Sequence, residues 1–131
     1  VADGARTVLY IEDNPSNVDL LAGVLTLRPG VKLVTAADGG SGLALARRQR
    51  PDLIVVDVSL PDIDGFEVCR RLRAEAAFAR APIVALSANA MAGDIERGRR
   101  AGFDTYLTKP LDVPAFLAEL DRLLGPGGAL R

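Results

Sequence analysis

The stretch Leu53-Ile54-Val55-Val56-Asp57 decides how the rest of the chain is interpreted. Its first four residues form the most apolar run of the sequence, which is typical of a strand buried on both faces of a parallel sheet. Asp57 follows at the carboxyl end of that predicted strand. A strand-end aspartate is weak evidence for a function by itself, so the meaning of Asp57 depends on what lies around it.

Strand and helix patterns alternate on both sides of this run. Apolar strand-forming runs are predicted at 8–11, 31–35, 53–56, 82–86 and 103–108. Helical spacing of apolar residues follows each of them, and Asn14 with Pro15 is typical of the start of the first helix. Five strand–helix units in succession predict an α/β fold, with a doubly wound five-stranded parallel sheet and helices on both faces.

Composition limits the kinds of protein that the chain can be. Its 131 residues, 49% hydrophobic and 25% charged, fit one globular domain. We expect that domain to span 7–124, with flexible termini at 1–6 and 125–131. A net charge of -1 gives no field that would attract nucleic acid or a membrane. No apolar run is long enough to span a membrane and no signal peptide is found, so we expect a cytoplasmic protein.

The sequence contains no histidine and a single cysteine. An intramolecular disulfide is therefore impossible, and catalysis by a Ser-His or Cys-His pair is excluded within this chain. The same absence excludes histidine-ligated metals. Any phosphorus or metal chemistry must use carboxylates, hydroxyl groups and lysine.

Polar side chains of these types follow four of the predicted strands. Glu12 and Asp13 follow the first strand, Asp57 the third, Ser87 the fourth and Lys109 the fifth. Each one alone is more often a turn or a helix cap than a functional residue. Ligands of parallel sheets bind outside the carboxyl ends of the strands, however, and all five residues are expected at that one edge.

These residue types together indicate phosphoryl transfer with a metal. Three clustered carboxylates repel one another and need a cation, and hard oxygen ligands favour Mg²⁺. A carboxylate such as Asp57 can attack phosphorus and form an acyl phosphate. A divalent ion and Lys109 would neutralise the transferred charge, and the hydroxyl of Ser87 could bind a phosphoryl oxygen.

Four blocks of the sequence resemble the signature blocks of response-regulator receiver domains, in the same order and at similar spacing. They are 11–14, 56–61 with Asp64-Gly65, 85–90 and 106–110. The resemblance covers residues 7–124. It implies the flavodoxin-like (βα)5 receiver fold with strand order 2-1-3-4-5, and a signalling domain of a two-component system or phosphorelay rather than an enzyme.

The resemblance also implies a role for each residue of the site. Asp57 would accept a phosphoryl group from a histidine kinase or a phosphotransfer protein, and Lys109 would pair with the phosphoryl oxygens. Glu12, Asp13 and Asp57 would hold Mg²⁺ together with the backbone carbonyl of Ser59.

Further positions are assigned by the same resemblance to switching and to phosphate lifetime. Ser87 and Tyr106 would change position after phosphorylation, and Ser59 and Asn89 would modulate the lifetime of the phosphate. Pro110 would follow Lys109 through a cis peptide bond. The face formed by helix 4, strand 5 and helix 5 would shift, and it is a possible site of oligomerisation.

Other assignments fit the sequence less well. A phosphoaspartate phosphatase of the haloacid-dehalogenase type needs a second aspartate two residues after the first, where Ser59 stands. A nucleotide-binding α/β domain needs a glycine-rich turn after the first strand, and 12–15 has none. Within the receiver class, the block 88–94 and the start at Val1 favour the receiver of a hybrid sensor kinase, and a stand-alone regulator is the alternative.

Overall fold

Five parallel strands form a single sheet in the order β2-β1-β3-β4-β5. The structure is a computed structural model, and it describes residues 6–88 and 91–125. The strands are β1 (Arg6–Ile11), β2 (Val31–Ala36), β3 (Leu53–Asp57), β4 (Ile83–Ser87) and β5 (Thr105–Thr108). All five residues of β3 are buried, as expected for the central strand. The predicted α/β class and the strand order are therefore confirmed.

The helices cover both faces of the sheet. They are α1 (Pro15–Leu25), α2 (Gly39–Gln49), α3 (Gly65–Arg73), α4 (Ala92–Ala101) and α5 (Val113–Leu124), with a short 3-10 turn at Ala76–Phe78. Alternate residues of β3 supply two separate cores: Ile54 and Val56 pack with α2, α3 and α4, whereas Leu53 and Val55 pack with α1 and α5. No helix in the described ranges is long and apolar enough to cross a bilayer.

Some boundaries differ from the predicted ones for identifiable reasons. β1 begins at Arg6, because the Arg6 amide donates to the carbonyl of Gly30 over 2.8 Å. β5 begins at Thr105 rather than at 103, because the Phe103 amide donates to the Gly98 carbonyl at the end of α4. Helix α1 ends at Leu25, before the Pro29-Gly30 pair, whose residue types favour the end of a helix. The terminal segments 1–5 and 126–131 lie outside the described residues.

The loop between β3 and α3 is closed tightly at its base. The Gly65 amide donates to the carbonyl of Val58 over 2.8 Å. A Cβ atom on Gly65 would lie 2.6 Å from the backbone oxygen of Asp57 and 2.8 Å from the Cα of Val58. Asp64 caps α3 by accepting the Glu67 amide over 2.8 Å. The absence of a side chain at 65 therefore lets α3 begin directly against the end of β3.

The same loop is also tied to the start of α2. One carboxylate oxygen of Asp62 accepts the Gly39 amide over 2.7 Å, and the other accepts the Gly40 amide over 2.8 Å. These two backbone bonds hold the pKa of Asp62 down at about 2. Asp62 thus joins the loop after β3 to the loop after β2.

We expect Gly65→Ala to destabilise the fold and Gly93→Ala to leave it intact. The new methyl group at 65 would meet the backbone of Asp57 and Val58, which cannot move aside like a flexible side chain, at a cost of about 2 kcal/mol. A Cβ on Gly93, in α4, would meet nothing within 4 Å, and alanine there should stabilise the helix by about 0.5 kcal/mol. Urea unfolding measures the free energy of unfolding of both variants and of the parent chain. Equal values for Gly65→Ala and the parent chain would contradict the prediction.

We expect the stability that Asp62 contributes to depend on pH. Its pKa falls from 3.8 in the ordinary state to about 2 in the fold, so ionised Asp62 stabilises the fold fully above pH 3.8 and this contribution is lost as the pH falls through about 2. The stability gap between the parent chain and Asp62→Asn should be constant above pH 5 and shrink from pH 4 towards pH 2.

Urea titrations at a series of pH values measure this gap. Asp19→Asn is the matched control, because Asp19 is an exposed aspartate of α1 that accepts no backbone amide in the described part of the chain. A gap for Asp62→Asn that does not change with pH would refute the role of the two amide bonds.

Candidate functional site

Three carboxylates meet at the carboxyl edge of the sheet. Glu12 and Asp13 directly follow β1, and Asp57 ends the neighbouring strand β3. Glu12, Asp13 and Asp57 each offer one oxygen, and these oxygens all lie within 4.8 Å of one another. Glu12 and Asp57 are buried, at 3% and 4% exposure, whereas Asp13 is exposed. The cluster therefore has a buried floor and a side that is open to solvent.

Lys109 brings a positive charge to this cluster from the far end of the chain. Its Nζ lies 2.8 Å from Glu12 Oε1 and 3.3 Å from Asp57 Oδ1. The Lys109 amide donates to the carbonyl of Ser87 over 2.7 Å, which extends the pairing of β4 with β5 to the site. The Lys109–Pro110 peptide bond is cis. These distances place Lys109 beside Glu12 and Asp57 at the carboxyl edge of the sheet.

Glu12 is held by four hydrogen-bond donors. Its Oε1 accepts from Lys109, from the Tyr10 hydroxyl over 3.0 Å and from the Asn17 side-chain amide over 3.3 Å. Its Oε2 accepts from the Asn14 backbone amide over 3.2 Å. Burial favours the neutral carboxyl, but the hydrogen bonds that Glu12 accepts, from Lys109 and from the Asn14 amide among others, outweigh burial and lower the pKa of Glu12. Glu12 is therefore a fixed, ionised group.

Asp57 is in a different electrostatic position. Burial and the neighbouring carboxylate of Glu12 raise the pKa of Asp57 to about 6, although the Ser59 amide donates to its Oδ1 over 3.1 Å. Lys109 is the cation beside these carboxylates within the described part of the chain, and one ammonium does not balance three negative charges. The three carboxylates are hard oxygen ligands, so they could hold a divalent metal ion.

Ser87 lies next to this cluster at the end of β4. It is buried at 1% exposure, and it follows Leu86, the residue that faces Asp57 in the strand register. The register also places Ser87 beside Thr108, which precedes Lys109. The structure therefore brings five predicted residues to one edge: Glu12, Asp13, Asp57, Ser87 and Lys109.

Tyr106 lies apart from the carboxylates, in the layer between β5 and two helices. Its half-buried ring stacks on Phe66 of α3, with 6.5 Å between the ring centroids. On α4, a Cβ added to Gly98 would lie 2.7 Å from Tyr106 Cδ2. The guanidinium carbon of Arg97 lies 4.1 Å from the centroid of Phe66. Tyr106 thus contacts α3 through Phe66 and lies against α4 at Gly98; of these two helices, only α4 belongs to the face expected to shift.

Two further predicted positions, Ser59 and Asn89, differ in whether the structure describes them. The Ser59 amide contacts Asp57, whereas Asn89 lies outside the described residues. The contacts of Tyr10, Asn14 and Asn17 with Glu12 were not predicted from the sequence. Tyr10 had a usable signal, because residues two apart on a strand share one face. The contact from Asn17 depends on how α1 packs, and no local pattern indicates it.

Known proteins resemble this chain over most of its length. The family model for the response regulator receiver domain matches residues 8–121. A polar-differentiation response regulator, DivK, from Brucella anthropi is 36% identical over 120 residues, which are 92% of this chain and 97% of the relative.

Solved structures show the same likeness. The receiver domain of a sensor histidine kinase from Pseudomonas aeruginosa, with a magnesium ion coordinated in its active site cleft, has a TM-score of 0.84 and 37% identity, covering 92% of this chain and 98% of that one. The chemotaxis response regulator CheY4 of Vibrio cholerae has a TM-score of 0.84 and 30% identity, covering 92% and 99%. With its five-stranded fold and its acidic site, this chain belongs to the response regulator receiver domain family.

Proposed function

We propose that Asp57 accepts a phosphoryl group from a phosphohistidine, carried by a histidine kinase or by a phosphotransfer protein. The observation that carries the proposal is the Lys109 ammonium lying between Glu12 and Asp57 in a cluster of three carboxylates. Membership of the receiver family supports the same function. The chain contains no histidine, so the donor phosphohistidine must belong to another protein or to another part of a longer one.

The proposed metal is Mg²⁺, held by Glu12, Asp13 and Asp57 with the backbone carbonyl of Ser59. The residues fit such an ion, because hard oxygen atoms are gathered within 4.8 Å and one side of the cluster is open for water and phosphoryl oxygens. When bound, Mg²⁺ would neutralise charge on the carboxylates and on the phosphoryl group. The magnesium of the Pseudomonas aeruginosa receiver domain is consistent with this assignment.

Three side chains of this chain have separate roles in the proposed phosphoryl transfer. A carboxylate oxygen of Asp57 attacks phosphorus, the phosphorus–nitrogen bond of the donor breaks, and the imidazole leaves with that electron pair. The product is an acyl phosphate on Asp57. Lys109, already 3.3 Å from Asp57 Oδ1, pairs with a phosphoryl oxygen. The hydroxyl of Ser87 would be available to another phosphoryl oxygen, and a bound metal would neutralise charge on the phosphoryl group.

Signalling follows from how these groups rearrange. We propose that Ser87 and Tyr106 change position with the phosphoryl group, and that the face of α4, β5 and α5 shifts to favour one partner arrangement or an oligomer. Ser59 and Asn89 would set the lifetime of the phosphate. The domain would act as a cytoplasmic switch or relay rather than as a turnover enzyme. Both a hybrid-kinase receiver and a stand-alone regulator satisfy this proposal.

We expect the chain to gain one phosphoryl group when it is incubated with Mg²⁺ and acetyl phosphate or phosphoramidate. The gain should be absent in Asp57→Asn and absent when a chelator removes the metal, because both the nucleophile and the charge neutralisation are required. Intact-protein mass spectrometry measures the adduct. Asp52→Asn, the same change at the opposite end of β3, is the matched control and should still be phosphorylated.

Two results would contradict the proposal. One is a parent chain that gains no phosphoryl group from any small-molecule donor or from a phosphorylated kinase. The other is an adduct of the same size on Asp57→Asn. Peptide mapping of the adduct separates transfer to Asp57 from transfer to Asp13.

We expect Lys109→Ala to accept phosphate roughly a hundredfold more slowly, because a charged donor beside the developing phosphoryl charge is lost. The phosphorylated variant should also fail to switch. The measurement is the change in the amide NMR shifts of β5 and α4 when the phosphodonor is added. Lys32→Ala removes the only other lysine of the chain, an exposed residue of β2, and should behave like the parent. A normal β5 response in Lys109→Ala would exclude this role.

A further inference from the structure

The side chain of Tyr10 reaches the acidic site from inside the protein. Tyr10 is 2% exposed, and its ring packs in the core between the sheet and helices α1 and α5. Its hydroxyl donates to Glu12 Oε1 over 3.0 Å. This is the oxygen that also accepts the Lys109 ammonium over 2.8 Å. A single carboxylate oxygen therefore joins a buried phenol to the cation of the site.

Packing alone does not account for this hydroxyl group. A phenylalanine would fill nearly the same volume, and it would bring no polar atom into the core. The hydroxyl of Tyr10 is kept in the core by a bond to an ionised acceptor, the stronger class of hydrogen bond. Tyr10 lies in β1 and Glu12 directly follows that strand, so a short stretch of continuous backbone sets the distance between them.

The donors around Glu12 also fix how its carboxylate is rotated. Tyr10, Asn17 and Lys109 all approach Oε1, whereas the Asn14 amide holds Oε2. With both oxygens engaged, the carboxylate cannot turn away from the cluster at low energetic cost. Partners of this kind orient the residues that bind a metal, and removing one typically weakens metal binding by about 10- to 100-fold.

We propose that Tyr10 is a positioning residue for the metal site, whose hydroxyl holds Glu12 in the orientation that serves both Lys109 and a divalent cation. Asn17 is its weaker partner in this role, because its contact with Glu12 is longer, 3.3 Å, and comes from a surface helix. The inference rests on the proposed Mg²⁺ site. It assigns a function to a core residue that otherwise contributes only packing.

The test is a titration of Tyr10→Phe with Mg²⁺, monitored through the amide NMR shifts of the residues around Asp13 and Ser59. We expect the dissociation constant for Mg²⁺ to rise roughly tenfold, while the melting temperature of the metal-free protein changes little. Ile83→Val is the control. It removes one buried methyl group at the opposite edge of the sheet, so it lowers stability without touching Glu12 and should leave Mg²⁺ affinity unchanged.

Asn17→Ala provides a second variant that does not alter the core. It should weaken Mg²⁺ binding in the same direction and by a smaller factor, and it decides the question if Tyr10→Phe does not fold. If the parent chain binds Mg²⁺ and the dissociation constant of Tyr10→Phe lies within about twofold of the parent value, the inference is overturned, because an effect of about 10- to 100-fold is expected. That result would leave the proposed function standing. A parent chain that binds no Mg²⁺ would overturn both.

Discussion

The structure depends on how negative charge is compensated at the end of its central strand. Glu12 and Asp57 are almost fully buried. Removing an ionised carboxylate from water without a compensating charge has a large free-energy cost. Lys109 supplies a cation from 97 residues away in the sequence. Glu12 follows β1 and Lys109 follows β5, and β3 and β4 lie between these two strands in the sheet, so the pair exists only when the sheet is complete.

The strand order explains why this arrangement is possible. β1 and β3 are neighbours, but the chain leaves them in opposite directions, since α1 packs on one face of the sheet and α3 on the other. A crevice opens between two loops that diverge in this way, and ligands of open α/β sheets bind there. Glu12 and Asp57 stand on its two sides. The loop that follows Asp57 is fixed at two points. Asp62, within the loop, accepts two amides of α2, and Gly65, at the start of α3, packs against the backbone of Asp57.

Much of this could be predicted from the sequence, because it is encoded locally. The apolar run before Asp57 indicated the central strand, and the strand-end positions of Glu12, Asp13, Ser87 and Lys109 indicated the site. The strand order came from resemblance, since alternation of strands and helices does not determine it. The extent of β5 and the contact of Asn17 with Glu12 arise from tertiary packing, whereas the contact of Tyr10 with Glu12 had a local signal in their spacing of two residues. Phe103, for example, fits a strand pattern, yet its amide completes the end of α4.

The ring of Phe66 has a mechanical consequence. Phe66 follows Gly65 at the base of the loop after Asp57. Its ring contacts Arg97 of α4, Tyr106 of β5, and Phe103, which lies between these two elements. Arg97 also reaches back to Asp64 in that same loop, over 3.3 Å. A packed aromatic side chain transmits displacement because interiors compress little. Phe66 therefore joins the loop after Asp57 to α4 and β5 by direct packing, so any shift of that loop would have to be accommodated by both elements.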